Sequence, residues 1–146
     1  MKTKKVLSFG LSFCFYLGSS AYANNLAFNQ DDVQKFNATN ACVDCDLSNA
    51  SLYGNHSQAN LSGANLSNAS GSYINLSQAN LQTANLTNAT FNAANFSEAD
   101  FTGAGVYQAD FGSANLYKAK ITPEQLSQVK SLCNATLPDG SKGSCS

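Results

Sequence analysis

A five-residue period runs through this chain from Cys45 onward and decides what it can fold into. Apolar centres stand at Leu47 and Leu52, then at Leu61, Leu66, Leu76, Leu81, Leu86, Phe91, Phe96, Phe101, Val106, Phe111, Leu116 and Ile121, with Gly71 in one vacant step. Two residues before nearly every centre is an Ala, Ile74 being the exception, and an Asn or Asp commonly separates the two, as in Ala59-Asn60-Leu61-Ser62-Gly63. Five fits neither the 3.6 of a helix nor the 2 of a flat strand. The chain must therefore turn once per repeat and bury its apolar side by stacking repeats on one another.

The surface that such a stack presents here is nearly uncharged. Charged residues make up 12% of the chain, about half the usual share, and Asn, Ser, Gln and Thr take their place. Three of the eight lysines (Lys2, Lys4, Lys5) precede an apolar run from Val6 to Gly18 that ends in Ala21-Tyr22-Ala23. That order predicts an export signal over residues 1–23, cut between Ala23 and Asn24. The run is shorter than the roughly 17–25 residues of a membrane-spanning helix, so no stable membrane insertion is expected after cleavage. A lipid anchor at Cys14 is disfavoured by the bulky Phe13 before it. From Asn24 on, five lysines face nine acids, a charge of about −4, which argues against nucleic acid as a partner.

The tandem Ala-(Asn or Asp)-Leu-x-x steps from about Cys45 to Ile121 resemble the pentapeptide-repeat family. The resemblance implies an all-β solenoid, a right-handed quadrilateral β-helix with four repeats per coil. Residues twenty apart would then stack at the strand spacing of about 4.8 Å. The centres would form four inner columns: Leu61, Leu81, Phe101, Ile121; Leu66, Leu86, Val106; Gly71, Phe91, Phe111; and Leu76, Phe96, Leu116. The Asn and Asp positions would hydrogen-bond from coil to coil. Gly71 would leave a hole costing about 2–4 kcal/mol relative to a leucine unless Phe91 leans into it.

Both flanks read as plugs for the column ends. Residues 24–44 hold a helix capped by Asn29, with Phe28, Val33 and Phe36 on one face. Residues 122–146 begin with the capping box Thr122-Pro123-Glu124-Gln125, and Leu126, Val129 and Leu132 are expected to form one helical stripe before a turn at Leu137-Pro138-Asp139-Gly140. The β-helix itself is assigned to residues 45–121, with a short capping α-helix at each end. Between Leu52 and Leu61 one residue is missing from the period, which predicts a shortened corner or bulge over Tyr53–Gln58 with His56 as a solvated loop residue.

Four cysteines remain after the signal, in an exported chain, and favour disulfides. Some four coils separate Cys42 and Cys45 from Cys133 and Cys145, roughly 15–20 Å, too far for a bridge. The expected pairs are local, Cys42 with Cys45 and Cys133 with Cys145; two buried thiols at the first coil are the alternative to the former. A redox pair or a zinc site at Cys42-Val43-Asp44-Cys45 is disfavoured, since His56 is the sole histidine and the motif lacks its usual setting. No catalytic arrangement can be assembled around His56, and no cofactor or metal is expected. Tyr53, Tyr73, Tyr107 and Tyr117 point outward, assigned to different faces. The Asn-x-Ser/Thr triplets are by-products of the repeat.

These features favour a noncatalytic exported scaffold or interaction module, periplasmic or secreted, binding a protein or surface and expected to be a monomer. The alternative from the family is a DNA-mimicking topoisomerase-binding protein. It would need rows of acids, whereas the coil from Leu47 to Ile121 carries only Glu98, Asp100 and Asp110 against Lys118 and Lys120. An ice-binding face would need one column of threonines, and Thr83, Thr87, Thr90 and Thr102 do not form one.

Overall fold

The computed structural model describes residues 28–145. The expected signal segment and its cleavage point at Ala23 and Asn24 lie outside the described residues. One helix, α1 (Gln30–Thr39), leads into a stack of coils built from single-residue parallel bridges, and a second short helix, α2 (Pro123–Leu126), interrupts the last coil.

The bridges set the register. Asn60 pairs with Asn80, Asn80 with Asp100 and Asp100 with Lys120; Asn55, Asn75, Asn95 and Asn115 form a second such row. Residues twenty apart thus lie over one another, and each coil has four sides. Each corner is a β-turn closed by a bond such as Ala64 N to Leu61 O at 3.1 Å or Ala79 N to Leu76 O at 3.1 Å. The third turn residue is left-handed, as at Asn68 (φ 57°) and Gly63 (φ 69°), the position where Gly and Asn are at least cost.

The Asn preference has a double cause. Asn75 Oδ1 accepts its own turn's Ser77 N–H at 3.1 Å, while Asn75 Nδ2 donates to Asn55 Oδ1 in the coil below at 2.8 Å. Asn95 and Asn115 continue that ladder at 3.2 and 3.3 Å. One side chain therefore fixes a turn and ties two coils together, which a leucine or serine cannot do.

The interior is apolar over the regular coils. Leu61, Leu66, Leu76, Leu81, Leu86, Phe91, Phe96, Phe101, Phe111 and Leu116 are completely buried, as are most alanines two positions before the centres. Phe96 lies edge-on to Phe91, Phe101 and Phe111, with ring centroids 5.2–5.6 Å apart, the geometry aromatic quadrupoles favour. The two breaks in the pattern compensate each other. A side chain at Gly71 would collide with the Phe91 ring and crowd Ile74, so the phenylalanine and the oversized residue at the alanine position fill the space together.

Both flanks differ from their sequence expectation. The first coil is nineteen residues long (Ala41 over Asn60, Ser51 over Ser70), because Ser51-Leu52-Tyr53-Gly54 is a four-residue step with Gly54 at φ 102°. The next step starts at Asn55 and puts His56 at an apolar centre above Leu76. His56 is buried, 7% exposed, which corrects its assignment as a solvated loop residue: losing one residue at the corner shifts His56 into the column.

At the other end the expected long helical stripe is absent. Helix α2 ends at Leu126, and four residues cannot hold a helix without tertiary support. From Gln128 the backbone pairs again with the coil beneath: Gln108 N to Gln128 O (2.8 Å), Ser113 N to Cys133 O (2.7 Å) and Leu116 N to Thr136 O (2.8 Å). Leu132 and Leu137 thus occupy centres over Phe111 and Leu116, with Ala135 buried between them. The coil extends past Ile121, and α2 makes that last turn one residue longer (Asp110 over Ser131).

Candidate interaction surface

The residues with chemistry in them are gathered at the two irregular ends. Asn29 caps α1, its Oδ1 accepting the N–H of Asp31 (3.1 Å) and Asp32 (3.2 Å). The helix carries Phe36, fully buried, onto the first coil, where its ring stacks on His56 with centroids 4.2 Å apart. Phe28 and Val33 pack against the same core, partly buried.

His56 is held between two acceptors. Asn40 Nδ2 donates to Ser57 O at 2.8 Å, which turns Asn40 Oδ1 toward His56 Nδ1 at 2.8 Å. Nε2 faces the Tyr53 carbonyl at 3.2 Å. A neutral imidazole has one donor for these two acceptors. Burial nevertheless holds its pKa below the ordinary 6.5, outweighing the opposite pull of the Tyr53 carbonyl. The ring is thus held by one side-chain amide and one backbone carbonyl beneath Phe36.

Cys42 and Cys45 both lie in the core and are bonded to each other, with Cα atoms 5.2 Å apart. Asp32 is close enough to the two sulfurs that the three groups could surround an ion, but the sulfurs are spent in the disulfide and Asp32 Oδ2 accepts the Asp46 N–H at 2.8 Å. Lys35 Nζ stands 3.5 Å from Cys45 Sγ. Cys133 is joined to Cys145, Cα atoms 4.2 Å apart, so the tail after Thr136 folds back as an antiparallel edge, Leu137 N donating to Ser141 O and Gly143 N to Ala135 O, both at 2.8 Å. At this end Thr122 and Gln125 form the reciprocal capping box, and Gln125 Nε2 donates to the Phe101 and Ala104 carbonyls at 2.8 and 2.9 Å.

One acid of the coils is tied up by its neighbours. Asp100 accepts from the Thr102 hydroxyl (2.6 Å) and from Thr102 N–H, then from Gln82, and pairs with Lys120 at 3.1 Å. These donors, the Thr102 hydroxyl foremost, hold its carboxyl far below the usual range.

The exposed aromatics distribute differently from their sequence assignment. Tyr107 and Tyr117 do lie on separate faces. Tyr53 and Tyr73 share one, since both fall between the bridge rows Ser51–Ser70 and Asn55–Asn75 on adjacent coils. They are 71% and 83% exposed, the most open aromatics of the described chain. Among the described residues no helix is long and apolar enough to cross a membrane.

Comparison with known proteins agrees with the period. Residues 42–122 match the model of pentapeptide repeats, in eight copies. No curated protein is significantly similar in sequence. Among solved structures, a pentapeptide repeat protein of the Arabidopsis thaliana thylakoid lumen is 22% identical, covering 67% of this chain and 62% of its own, with a TM-score of 0.44. HetL, a pentapeptide repeat protein involved in heterocyst differentiation regulation in the cyanobacterium Nostoc, is 25% identical over 70% of this chain and 65% of its own, with a TM-score of 0.31. The chain thus spans under two thirds of the length of these two structures. With the repeat model matching more than half of its residues, the chain belongs to the pentapeptide repeat family.

Proposed function

We propose that this protein is an exported, noncatalytic scaffold that binds a protein partner through the face bearing Tyr53 and Tyr73. The observation that carries the reading is their alignment: two highly exposed rings on adjacent coils of one face, on a backbone whose polar groups are already paired. Tyrosines offer large contact area at small entropic cost and are enriched in interfaces. The family is generally noncatalytic, and the buried His56, stacked under Phe36, suits that. The right-handed quadrilateral geometry expected of the family would present this face as a flat, rigid sheet of stacked turns.

Both ends are read as closed. Helix α1 with Phe36 covers the first coil, and the hairpin to Lys142 covers the last, hiding edges that would otherwise pair with another chain. The chain is accordingly a monomer, and light scattering giving twice its mass would refute that. Export is supported by the two local disulfides. An acidic DNA mimic is disfavoured, because Asp100 is already neutralised by Lys120.

The test uses the full chain expressed with its leader in a bacterial host. Envelope proteins retained by the wild type are compared with those retained by a Tyr53→Ala/Tyr73→Ala variant and by a Tyr107→Ala/Tyr117→Ala variant. A partner lost from the first and kept by the second supports the reading. A partner kept by the first, or a chain recovered from the cytoplasm with Met1 and five free thiols, overturns it.

A further inference from the structure

A trough of about 370 Å³ opens beside Tyr73 on the same face, with Asn92, Asp110, Gly112 and Ser131 in its lining. Asn92 and Gly112 are stacked one coil apart, Ala93 N donating to Gly112 O at 2.8 Å. Gly112 has no side chain to answer the asparagine below. A Cβ at that position would lie 3.1 Å from Asn92 Oδ1, 3.2 Å from Asp110 Oδ1 and 3.7 Å from Ser131 Oγ. Three oxygens from three successive coils therefore surround Gly112, where a side chain would crowd them.

None of the three has its demand met from that direction. Asn92 Oδ1 is buried and has no hydrogen-bond partner. Asp110 Oδ1 takes the Gly112 N–H at 3.0 Å, leaving the rest of its carboxylate without an ion pair, since among the described residues the one salt bridge is Lys120 to Asp100. Ser131 Oγ accepts the Cys133 N–H at 3.2 Å. A site whose orphan is an acceptor, whose charge is a carboxylate and whose wall is an exposed tyrosine ring calls for a ligand with donors, a positive charge and a planar face. Guanidinium has five N–H donors, no acceptor, a permanent charge and a flat surface that stacks on aromatic rings. An ammonium has the charge without the plane; a neutral amide has the plane without the charge.

We infer that this trough receives an arginine side chain of the protein partner, stacked against Tyr73 and bonded to the Asp110 carboxylate and, once the Asn92 side chain turns outward, to its Oδ1. The inference rests on the proposed interaction face and names the chemistry that face would recognise.

It is tested on the intact, oxidised chain by nitrogen-15 NMR titration with N-acetyl-arginine amide and with its neutral isostere N-acetyl-citrulline amide at matched ionic strength. The expected result is shift changes centred on Gly112, Ser131 and the Asn92 side-chain amide, with arginine binding at least fivefold tighter than citrulline. Asp110→Asn and Tyr73→Ala should each weaken the arginine response at least threefold while the remaining spectrum stays unchanged. Equal responses to both probes, or shifts scattered over other acids such as Asp44 and Glu98, would overturn the inference. So would slowly exchanging Asn92 amide protons, which would mean that the amide is turned to donate to Asp110 or Ser131 and the trough is satisfied from within. A partner that depends on Tyr53 and Tyr73 together with no arginine response would sink this inference and leave the interaction face standing.

Discussion

The regular coils between Asn60 and Lys120 and the two ends of the molecule obey different physics. In the middle every coil repeats the one below, so one side-chain solution serves many times: leucine or phenylalanine inward, alanine at the tight corner, asparagine bonding both its own turn and the next coil. At the ends that economy stops. The first coil drops one residue, the last gains one, and each departure is fastened by local devices: Phe36 over His56 and the Cys42–Cys45 bond at one end, Gln125 and the Cys133–Cys145 bond at the other. Repetition stabilises by stacking identical units, and irregularity requires dedicated bonds.

That contrast predicts a ranking of effects. The largest belongs to the middle, where Phe96→Ala opens a cavity among three other phenylalanines and should cost about 3–5 kcal/mol in denaturant unfolding. A cost below about 1 kcal/mol would mean that the regular interior is loosely packed. Next come the fasteners. Replacing Cys133 and Cys145 together by serine should cost about 3 kcal/mol and replacing Cys42 and Cys45 about 2 kcal/mol, because the first pair closes the longer loop in the unfolded chain. The reverse order in calorimetry would show that strain or local structure, not loop length, controls the ends.

Gly71 sharpens the comparison from inside the regular region. A leucine would restore the repeat's own pattern there, yet even Gly71→Ala should destabilise by about 1–3 kcal/mol, since Phe91 and Ile74 already occupy the space. The double change Gly71→Ala/Ile74→Ala should cost less than the sum of the single changes. Stabilisation by Gly71→Ala would show that the phenylalanine does not fill the gap.

The smallest effect is the pH response of His56. Its folded pKa lies below the unfolded 6.5 because burial disfavours the charged ring. Below 6.5 the unfolded chain therefore binds the proton more readily than the folded one. The stability that the neutral ring contributes is complete above about 6.5 and declines as pH falls toward the lowered folded value. Melting temperatures should drop between pH 7 and 5 in the wild type and stay flat over that range in His56→Leu. A wild-type melt that rises on acidification would mean that the Asn40 and Tyr53 oxygens favour the imidazolium after all.

What could be read from the sequence followed the range of the interactions. The five-residue step follows from spacing alone, because each repeat meets only its neighbours, while its arrangement in four inner columns came from the family resemblance. Signals with one-turn reach, such as Asn29 before α1 and Thr122 with Gln125 at α2, are equally local. His56 was misplaced because a single missing residue moves every later side chain by one step, and whether the loss falls before or after the histidine decides between core and solvent. Tyr53 and Tyr73 are twenty residues apart, so their common face was within reach of the stacking rule. Leu132 and Leu137 were hidden by α2, which breaks the period just before it resumes. Ala135-Thr136-Leu137 repeats the small-polar-apolar step and was the available clue. The trough at Gly112 could not be seen, since it depends on three residues roughly twenty apart that no motif connects.

Native-state hydrogen exchange on the oxidised chain tests the division between middle and ends most directly. The account predicts that the amides of Asn75, Asn80 and Asn95, each bonded to the coil beneath, exchange only through global unfolding. Those of His56 and Asn134 should open locally with a lower free energy, and more readily still once the disulfides are reduced. Equal protection at all five positions, unchanged by reductant, would contradict it.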